Sequence, residues 1–503
     1  MWWYLLVPYI CAGVIIVVSY VHWTRRKMYK TLATMSCPKT LPLIGHAHKF
    51  FNATAESIAD GLKFFAEFPS PVVIHLGPSP QVAIFDPEQA RIVLNSQNCL
   101  DKAFFYSFLR VPGTLISSPG PLWRSQRKAL NSSLGPAILG SFIPIFNNKS
   151  AILVDLLEKY AGEPERDFSV DIAKCFLDQI YETAFGCNFS MQTSPEGDKT
   201  VDMMGDYMHI VSKRFFTIWQ YPEVLYRMTD AYKTEQALLK AHHEITENIV
   251  RQVKFHEQIN MTDEKFAALD GSSKTHNFIE CLVKYMRTSV HTSQADIFSH
   301  IDMTLFAGND TTAKSLSYVL LLMAMHPEVQ ERCYQEVMEV CPGEERFISA
   351  EDTANLTYLD MVCKEGMRLF PVVPIMARVT NNDVKLDGKY EHHTIPANCN
   401  IILGVYQMHR DPSIWGPNAD QFNPDNFLPE NAAKRHPYAY LPFSAGPRNC
   451  MGLRYARIAM KVTAAHILKK YRLRTSLTLE ELRVSYGVML NIANGVLMSL
   501  EKR

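Results

Sequence analysis

The chain has 503 residues, of which 20% are charged, and its 51 lysines and arginines balance 51 aspartates and glutamates. A composition with 47% hydrophobic residues and no charge excess excludes a disordered tail protein, and it argues against nucleic acid as the main partner. The 11 cysteines contain no Cys-x-x-Cys pair, which favours reduced thiols over a disulfide framework.

The first 23 residues carry no Lys, Arg, Asp or Glu and have aromatic residues at both ends, which predicts a transmembrane helix. Arg25, Arg26 and Lys27 follow directly, and the positive-inside rule places them in the cytosol. We interpret 1–23 as a retained signal anchor, because the alternative, a cleaved signal peptide, needs a basic start and a small-residue cleavage site. Residues 24–45 form a basic, proline-containing linker, and the globular domain covers 46–503.

The pattern of the globular domain predicts a mainly α fold with a minor β-sheet and no internal domain boundary. Two β-rich runs, Val72–Leu76 and 81–85, flank a Gly-Pro turn at 77–78, which indicates a hairpin, and Pro87 opens a helix. Amphipathic helices are predicted around 151–185, 231–257, 296–326 and 455–470, with short strands near Val384–Leu386 and after Val484.

Trp123 and Arg127 lie four residues apart in a basic segment, so they share one face of a helix. An indole N–H and a guanidinium could then bind the same carboxylate. The alternative is a solvated basic helix, whose Arg124 and Lys128 could dock an acidic redox partner together with Arg454.

Residues 307–312, Ala-Gly-Asn-Asp-Thr-Thr, lie inside the predicted helix 296–326, although most of them are poor helix formers, which indicates an irregularity in the helix. Such an irregularity often marks a functional site. Asp310 and Thr311 place an acid beside an alcohol, a pair that can relay protons through ordered water. The alternative is a helix kink at which the threonine hydroxyls bond back to the main chain.

Glu365 and Arg368 lie three residues apart on one helical face, where they can form a local ion pair. Pro371 follows and ends this helix. By itself, such a pair is usually a solvated surface contact worth a few tenths of a kcal/mol.

The segment from Phe443 to Gly452, Phe-Ser-Ala-Gly-Pro-Arg-Asn-Cys-Met-Gly, places one cysteine in a glycine-rich turn. Gly446 and Gly452 allow tight backbone geometry and the close approach of a flat ligand. Backbone N–H groups can point at the sulfur of Cys450, and Arg448 would meet an anionic group. The alternative is a buried structural cysteine that only packs.

This segment resembles the haem-binding signature of the cytochrome P450 superfamily, in which a cysteine thiolate is the axial ligand of the haem iron and favours O–O cleavage. All five fixed positions match, and the resemblance covers roughly residues 38–503. It implies the cytochrome P450 fold and a haem b that is held without covalent bonds, apart from the bond between its iron and Cys450.

The resemblance also implies roles for the other polar residues. Asp310 and Thr311 would manage protons in the oxygen chemistry, and Gly308 would leave room for dioxygen. The haem propionates would be bound by Trp123, Arg127, Arg378 and Arg448.

Glu365 and Arg368 match a structural pair that lies behind the haem in the family. A third member comes from a Pro-x-Arg-Phe segment, but this chain reads Pro-Asp-Asn-Phe, with Asn426 in place of the arginine. The triad is therefore incomplete, and Asn426 can supply only neutral hydrogen bonds.

The sequence from Glu365 to Asn426 looks closest to the superfamily's fourth clan, which includes fatty-acid omega-hydroxylases. Some members of that clan carry a glutamate that esterifies the haem, where this chain has Ala307, so no ester is expected. By resemblance, the substrate pocket is lined by 104–116, the helix before Ala307, 372–376 and 488–490, all largely apolar.

Together these expectations describe an oxidoreductase, a haem-thiolate monooxygenase that inserts one atom of dioxygen into a fatty acid, a hormone-like lipid or a xenobiotic. The sequence shows no flavin module, so electrons from NADPH would come through NADPH-cytochrome P450 reductase, with cytochrome b5 as a further partner. The anchor places the protein in the endoplasmic reticulum (microsomal) membrane, as a single-pass protein with its catalytic domain in the cytosol.

Two alternatives stay open. A haem-thiolate isomerase or dehydratase would rearrange a peroxide without dioxygen or a reductase, although members of that class often lack the acid–alcohol pair. A non-enzymatic haem-binding membrane protein would show no turnover.

Overall fold

A computed structural model describes residues 2–41, 44–50, 55–77, 79–262, 264–265, 276–288, 293–386 and 393–503. Residues 42–43 of the predicted linker and Pro78 of the predicted hairpin turn lie outside the described residues. The fold is mainly α-helical with small sheets, as the sequence predicts.

The N-terminal half contains the helices α1 (Trp2–Thr24), α2 (Arg26–Leu32), α3 (Ala55–Ala66), α4 (Pro87–Asn95), α5 (Gly120–Leu130), α6 (Pro136–Leu157), α7 (Ser169–Phe185), α8 (Pro195–Phe216), α9 (Glu223–Tyr226) and α10 (Asp230–Gln252). The C-terminal half contains α11 (Phe255–Asn260), α12 (Phe278–Thr288), α13 (Gln294–Met325), α14 (Pro327–Val340), α15 (Ala350–Asn355), α16 (Thr357–Leu369), α17 (Val405–Met408), α18 (Pro412–Trp415), α19 (Pro429–Ala432) and α20 (Leu453–Lys470).

The strands form four small sheets and are β1 (Val72–Leu76), β2 (Ser79–Ile84), β3 (Arg166–Asp167), β4 (Ile375–Val379), β5 (Val384–Leu386), β6 (His393–Ile395), β7 (Asn400–Gly404), β8 (Tyr471–Arg474), β9 (Val484–Tyr486), β10 (Leu490–Ile492) and β11 (Leu497–Lys502). The largest sheet has the order β1-β2-β7-β4, and only its β2–β7 pairing is parallel. The others are β5-β6, β3-β11-β8 and β10-β9.

The long helix α13 runs through the main hydrophobic core and packs against α7, α10, α16 and α20. Helix α20 packs against α6 and α14, so the loop that precedes α20 is held against the same core. A second core lies between the largest sheet, α2 and α4.

Two predicted helices are divided in the structure. The pattern at 151–185 is not one helix, because α6 ends at Leu157 and Gly162 adopts a φ of +85°, after which β3 pairs with β11. The pattern at 231–257 breaks after Gln252, where Lys254 adopts a left-handed φ of 50°. The hairpin, the helix after Asp86 and the strand Val384–Leu386 agree with prediction.

Among the described residues, one segment is long and apolar enough to cross a membrane, Pro136–Tyr160, and 56% of its apolar window is buried. This segment contains α6, which packs against α7 and α20 as a core helix. The N-terminal helix α1 contains a shorter apolar stretch, Ile15–Thr24.

Candidate active site

A cavity of about 510 Å³ lies inside the helical core, and most of its lining is apolar. It is bounded by residues from α13, from the largest sheet, from α8 and from the loop before α20. The thiol of Cys450 and the hydroxyl-bearing Thr311 line this same space.

The sulfur of Cys450 is open to the cavity while the rest of its surroundings are protein. Burial raises the pKa of the Cys450 thiol, and backbone N–H groups of Gly452 and Leu453 oppose this rise by bonding to the sulfur. Cys450 lies just before the N-terminus of α20, where the helix dipole also favours a thiolate. The predicted backbone donors to the sulfur are therefore present.

The two glycines of the loop act differently. Gly446 has a φ of +70°, and a Cβ there would overlap the carbonyl of Leu94, so only glycine fits without strain. Gly452 has a φ of −81°, and its Cβ would lie 3.8 Å from the Cys450 Sγ, an ordinary contact. The prediction of tight geometry holds for Gly446 but is wrong for Gly452, which contributes its N–H instead.

Three basic residues, Lys102, Arg378 and Arg448, are close enough to interact electrostatically beside this loop. None of them forms an ion pair with a carboxylate in the described part of the chain. The Nη1 of Arg448 donates to the Leu100 carbonyl at 2.6 Å, while its buried Nε has no partner. Burial, together with both guanidiniums, holds the pKa of Lys102 well below its ordinary value.

The Lys102 Nζ lies 4.7 Å from the Tyr106 ring centroid, and the charge of Asp101 acts on Arg448. A positive cluster without a carboxylate ion pair fits the two carboxylates of a haem, because charge buried in a protein needs a counter-charge. Lys102 lines the cavity and was missed by the sequence reasoning. Its only sequence signal is a lone lysine two residues before an aromatic run, Phe104 to Tyr106. Arg378 does not line the cavity and lies buried behind it, donating to the Ala377 carbonyl at 2.9 Å.

Trp123 and Arg127 both reach the cavity from α5. The Arg448 guanidinium lies 5.0 Å from the Trp123 ring centroid. Arg127 donates to the backbone and side-chain oxygens of Asn449, both at 2.9 Å, and so ties α5 to the cysteine loop. The exposed face of the same helix carries Arg124 and Lys128.

The acid and the alcohol of α13 have different environments. The Thr311 hydroxyl donates to the Ala307 carbonyl at 2.6 Å and lines the cavity. Asp310 does not line the cavity, and its Oδ2 lies 3.1 Å from the Lys314 Nζ. The structure thus brings Thr311, but not Asp310, to the cavity surface.

The helix predicted at 296–326 is confirmed, and α13 is continuous through residues 307–312, without the irregularity that the poor helix formers suggested. The poor helix formers are accommodated because Thr311 and Thr312 bond to the carbonyls of Ala307 and Gly308, the back-bonding that the alternative reading expected. Gly308 lines the cavity, and a Cβ added there would lie 2.7 Å from the Cδ1 of Ile180 on α7, so a larger residue at 308 would have to displace Ile180. The role of Gly308 toward dioxygen stays a prediction.

Glu365 and Arg368 of α16 form a two-bond ion pair, with both N–O distances at 2.7 Å and neither side chain exposed. The alternative of a solvated surface contact therefore does not apply to this pair. Arg368 also donates to the carbonyls of His409 and Ala419, at 2.8 and 2.6 Å. The amide of Asn426 donates to the Glu365 Oε1 at 3.1 Å, the neutral hydrogen bond that its side chain permits.

His409 is a second residue that the sequence reasoning missed. Its Nδ1 donates to the Arg368 carbonyl at 3.2 Å, and its Nε2 accepts from the Leu441 N–H at 2.7 Å. Burial, helped by the charge of Arg368, lowers the pKa of His409 to about 3, so the ring is neutral. His409 thus connects α16 to the chain that leads into the cysteine loop. Its partners lie 41 and 32 residues away in the sequence, so no local motif predicts these contacts.

The predicted apolar lining is largely confirmed, with Phe105, Leu109, Phe306, Ile375 and Val488 on the cavity wall. Leu490 lies outside the wall because it pairs in β10. The sequence reasoning missed the contribution from α8 and the residues after it, which includes the aromatic Phe215, Phe216 and Tyr221 and the aliphatic Ile218.

A cysteine thiol with backbone donors, an apolar cavity and an unpaired cationic cluster define a haem-thiolate site. A family model described as "Cytochrome P450" matches residues 35–495. "Probable cytochrome P450 313a4" of Drosophila melanogaster is 31% identical over 98% of both chains. "Cytochrome P450 4V2" of Mus musculus is 32% identical over 95% of this chain and 91% of the mouse protein. "Cytochrome P450 4c21" of Blattella germanica is 34% identical over 87% of each.

The chain therefore belongs to the cytochrome P450 family. It is a haem-thiolate monooxygenase whose cofactor is a non-covalently bound haem b with a cysteine thiolate on its iron. The designations of two of these relatives, 4V2 and 4c21, begin with the number 4, in agreement with the resemblance to the fourth clan.

Proposed function

We propose that Cys450 is the cysteine that binds the haem iron and that the enzyme inserts one atom of dioxygen into an apolar small molecule. The observation that carries this proposal is the position of the Cys450 thiol and Thr311 on one apolar cavity. Among the described cysteines, only Cys450 lines that cavity.

The bound haem would supply activation of dioxygen at its iron. The residues of this chain hold and surround it: Lys102, Trp123, Arg127 and Arg448 bind its carboxylates from the cavity wall, and Arg378 supports them from behind. The Thr311 hydroxyl holds a proton at the cavity surface. Asp310 is one residue away and replenishes that proton through water when its carboxylate leaves Lys314.

The substrate class is an apolar lipid or xenobiotic, such as a fatty acid or a hormone-like lipid. Aromatic rings form the part of the wall contributed by 104–109 and α8, with Phe105 and Phe215 in edge contact at 5.1 Å between centroids. Such rings can bury the apolar surface of a substrate. The Thr311 hydroxyl is then a polar group near the position at which the substrate would react. Ala307 offers no carboxylate for an ester to the haem.

The protein is proposed to be a single-pass protein of the endoplasmic reticulum membrane, with residues 1–23 as its anchor and 46–503 in the cytosol. In support, α1 is helical over its 23 residues and exposes Ile16, Val17, Tyr20 and Trp23. Basic residues follow from Arg25.

Electrons are proposed to come from NADPH through a separate NADPH-cytochrome P450 reductase, with cytochrome b5 as a further donor. The exposed cations Arg124, Lys128 and Arg454 lie on α5 and α20, the helices that flank the cysteine loop. An acidic protein surface would be complementary to them.

The carbon monoxide difference spectrum of the reduced protein tests the ligand assignment. The wild type is expected to give the red-shifted Soret band of a thiolate ligand, and Cys450→Ala is expected to lose it. A wild type without that band would refute the assignment. In reconstituted membranes, NADPH consumption coupled to product supports the monooxygenase, whereas turnover of a peroxide without NADPH would favour the isomerase or dehydratase. No turnover at all would favour a non-enzymatic haem protein.

A further inference from the structure

Among the residues that the structure describes, the buried carboxylate of Glu365 binds one cation directly. Its partners are the guanidinium of Arg368, the N–H of Asn423 at 2.9 Å and the side-chain amide of Asn426 at 3.1 Å. A fully buried ion pair needs further favourable charge or hydrogen bonds, because both ions have lost their water. At position 426 this chain offers only a neutral amide.

A second cation reaches this place from nine residues further along the chain. After α19, the side chain of Arg435 turns back, and its Nη2 donates to the backbone carbonyl of Asn426. The same residue, Asn426, thus accepts from Arg435 with its backbone and donates to Glu365 with its side chain.

Aromatic contacts place the two guanidiniums around one ring. The Arg435 guanidinium carbon lies 4.2 Å from the Trp415 ring centroid and 5.3 Å from that of Phe427. The Arg368 guanidinium carbon lies 4.8 Å from the Trp415 centroid. Stacking on these rings fixes the position of the Arg435 charge without requiring a carboxylate of its own.

Arg435 forms no ion pair with any residue that the structure describes, whereas Arg410 and Arg457 nearby pair with Asp420 and Asp360. Burial lowers the pKa of Arg435, and the negative charge of Glu365 opposes that shift. The field of Glu365 therefore reaches Arg435 across Asn426. Arg435 is half-buried and has no ion-pair partner of its own in the described residues, so its charge is available to stabilise the carboxylate of Glu365.

We infer that Arg435 is a positioning residue that supplies the second positive charge for the buried Glu365, in place of the arginine that position 426 lacks. Through Asn426 it holds the turn Pro424–Phe427 against α16. The chain that follows Arg435 runs into the cysteine loop, and Leu441 on that chain is bound to His409. Loss of the Arg435 charge therefore loosens the loop that carries Cys450.

The experiment compares Arg435→Gln, Arg435→Lys, Asn426→Arg and the double variant Asn426→Arg/Arg435→Gln with the wild type. Lys434→Gln is the matched control, because Lys434 is the exposed neighbour. The readouts are haem per polypeptide, the fraction of the reduced carbon monoxide spectrum in the thiolate-type band, and the thermal unfolding midpoint. The spectroscopic readout rests on the proposed role of Cys450, and the unfolding midpoint does not.

Arg435→Gln is expected to lose at least half of the haem and of the thiolate-type band, while Lys434→Gln stays at the wild-type level. The double variant is expected to recover most of that loss, although Asn426→Arg alone brings no gain. A lysine at 435 is expected to recover part of it. Non-additivity of this kind identifies a shared role for the two positions.

The inference is overturned if Arg435→Gln matches the wild type, or if neither Arg435→Lys nor the double variant exceeds Arg435→Gln in any readout. If Arg435→Gln does not accumulate as folded protein, recovery of folded protein in the double variant supports the inference, and its failure together with that of Arg435→Lys overturns it. A wild type without the thiolate-type band is instead a failure of the Cys450 assignment, and the unfolding midpoints then decide the role of Arg435.

Discussion

Glu365 and Arg368 meet through two hydrogen bonds of 2.7 Å in a place where neither side chain touches solvent. Each ion depends on the other, because a charge left alone in the protein interior has no water to stabilise it. Arg368 also donates to three backbone carbonyls, those of His409, Ala419 and Gln421. The folding of the region behind the cysteine loop therefore depends on this ion pair.

Glu365→Gln is expected to destabilise the fold by about 3–5 kcal/mol, because it leaves the Arg368 charge buried without its carboxylate. Folded domains have only about 5–15 kcal/mol of stability, so little haem-loaded protein should accumulate. The matched control is Arg91→Ala, which removes a pair with Glu88 whose side chains are 47% and 38% exposed. That loss should stay within about 1 kcal/mol. Denaturant unfolding compares the two, and equal midpoints would contradict the expectation.

Gly446→Ala is expected to lower the free energy of unfolding by at least about 1–2 kcal/mol, the cost of a left-handed backbone for alanine. The added Cβ would also push against the Leu94 carbonyl and separate α4 from the cysteine loop. Gly452→Ala should fold normally, because its Cβ meets only the Cys450 Sγ at 3.8 Å. Thermal unfolding of both variants tests this, and similar losses in the two would show that the contact with Leu94 is unimportant.

Lys102→Met is expected to have opposite effects on the haem-free and haem-bound protein. Without haem, the half-buried Lys102 charge faces Arg378 and Arg448 with no carboxylate ion pair in the described residues, so its removal should raise the stability of the fold. With haem, its removal should weaken cofactor affinity because a partner of the propionates is lost. Haem titration and unfolding of the haem-free protein measure the two effects, with the exposed Lys128→Met as control. A variant with weaker haem binding and lower haem-free stability would contradict this role of Lys102.

The same lysine predicts a pH dependence. Because its pKa is lowered in the fold, the unfolded chain binds more protons than the folded one between that lowered pKa and the ordinary lysine value. The charge of Lys102 destabilises the fold fully at pH values below its pKa in the folded protein. This destabilisation disappears as the pH rises from that pKa to the ordinary lysine value. Stability of the haem-free wild type should therefore increase with pH there, and Lys102→Met should show a smaller slope.

Thr311→Ala is expected to consume NADPH several-fold faster than it forms product, with peroxide released, because the hydroxyl that holds the proton at the cavity is lost. Thr312→Ala is the matched control, since its hydroxyl makes the same kind of bond one residue later, to the Gly308 carbonyl at 3.0 Å. The ratio of product to NADPH in reconstituted membranes separates the variants. Equal coupling in Thr311→Ala and the wild type would remove Thr311 from the proton path.

Motif-bearing parts of the site were predictable because their chemistry is local. The turn around Cys450 needs a glycine at 446 and N–H donors after the cysteine, and both requirements lie within a few residues. Likewise, Glu365 and Arg368 meet because they are one helical turn apart. Composition and periodicity also indicated the mainly helical fold, although Gly162 and Lys254 ended two helices that the pattern had joined.

The sequence by itself determined the family, the cysteine loop and the paired residues of α16, since each depends on residues close together in the chain. Only the tertiary structure decided that Lys102 joins Arg378 and Arg448, that Asp310 lies away from the cavity, and that Arg435 returns to Asn426. The physical reason is that burial and long-range charge depend on how separate elements pack. Sequence spacing carries no record of those distances.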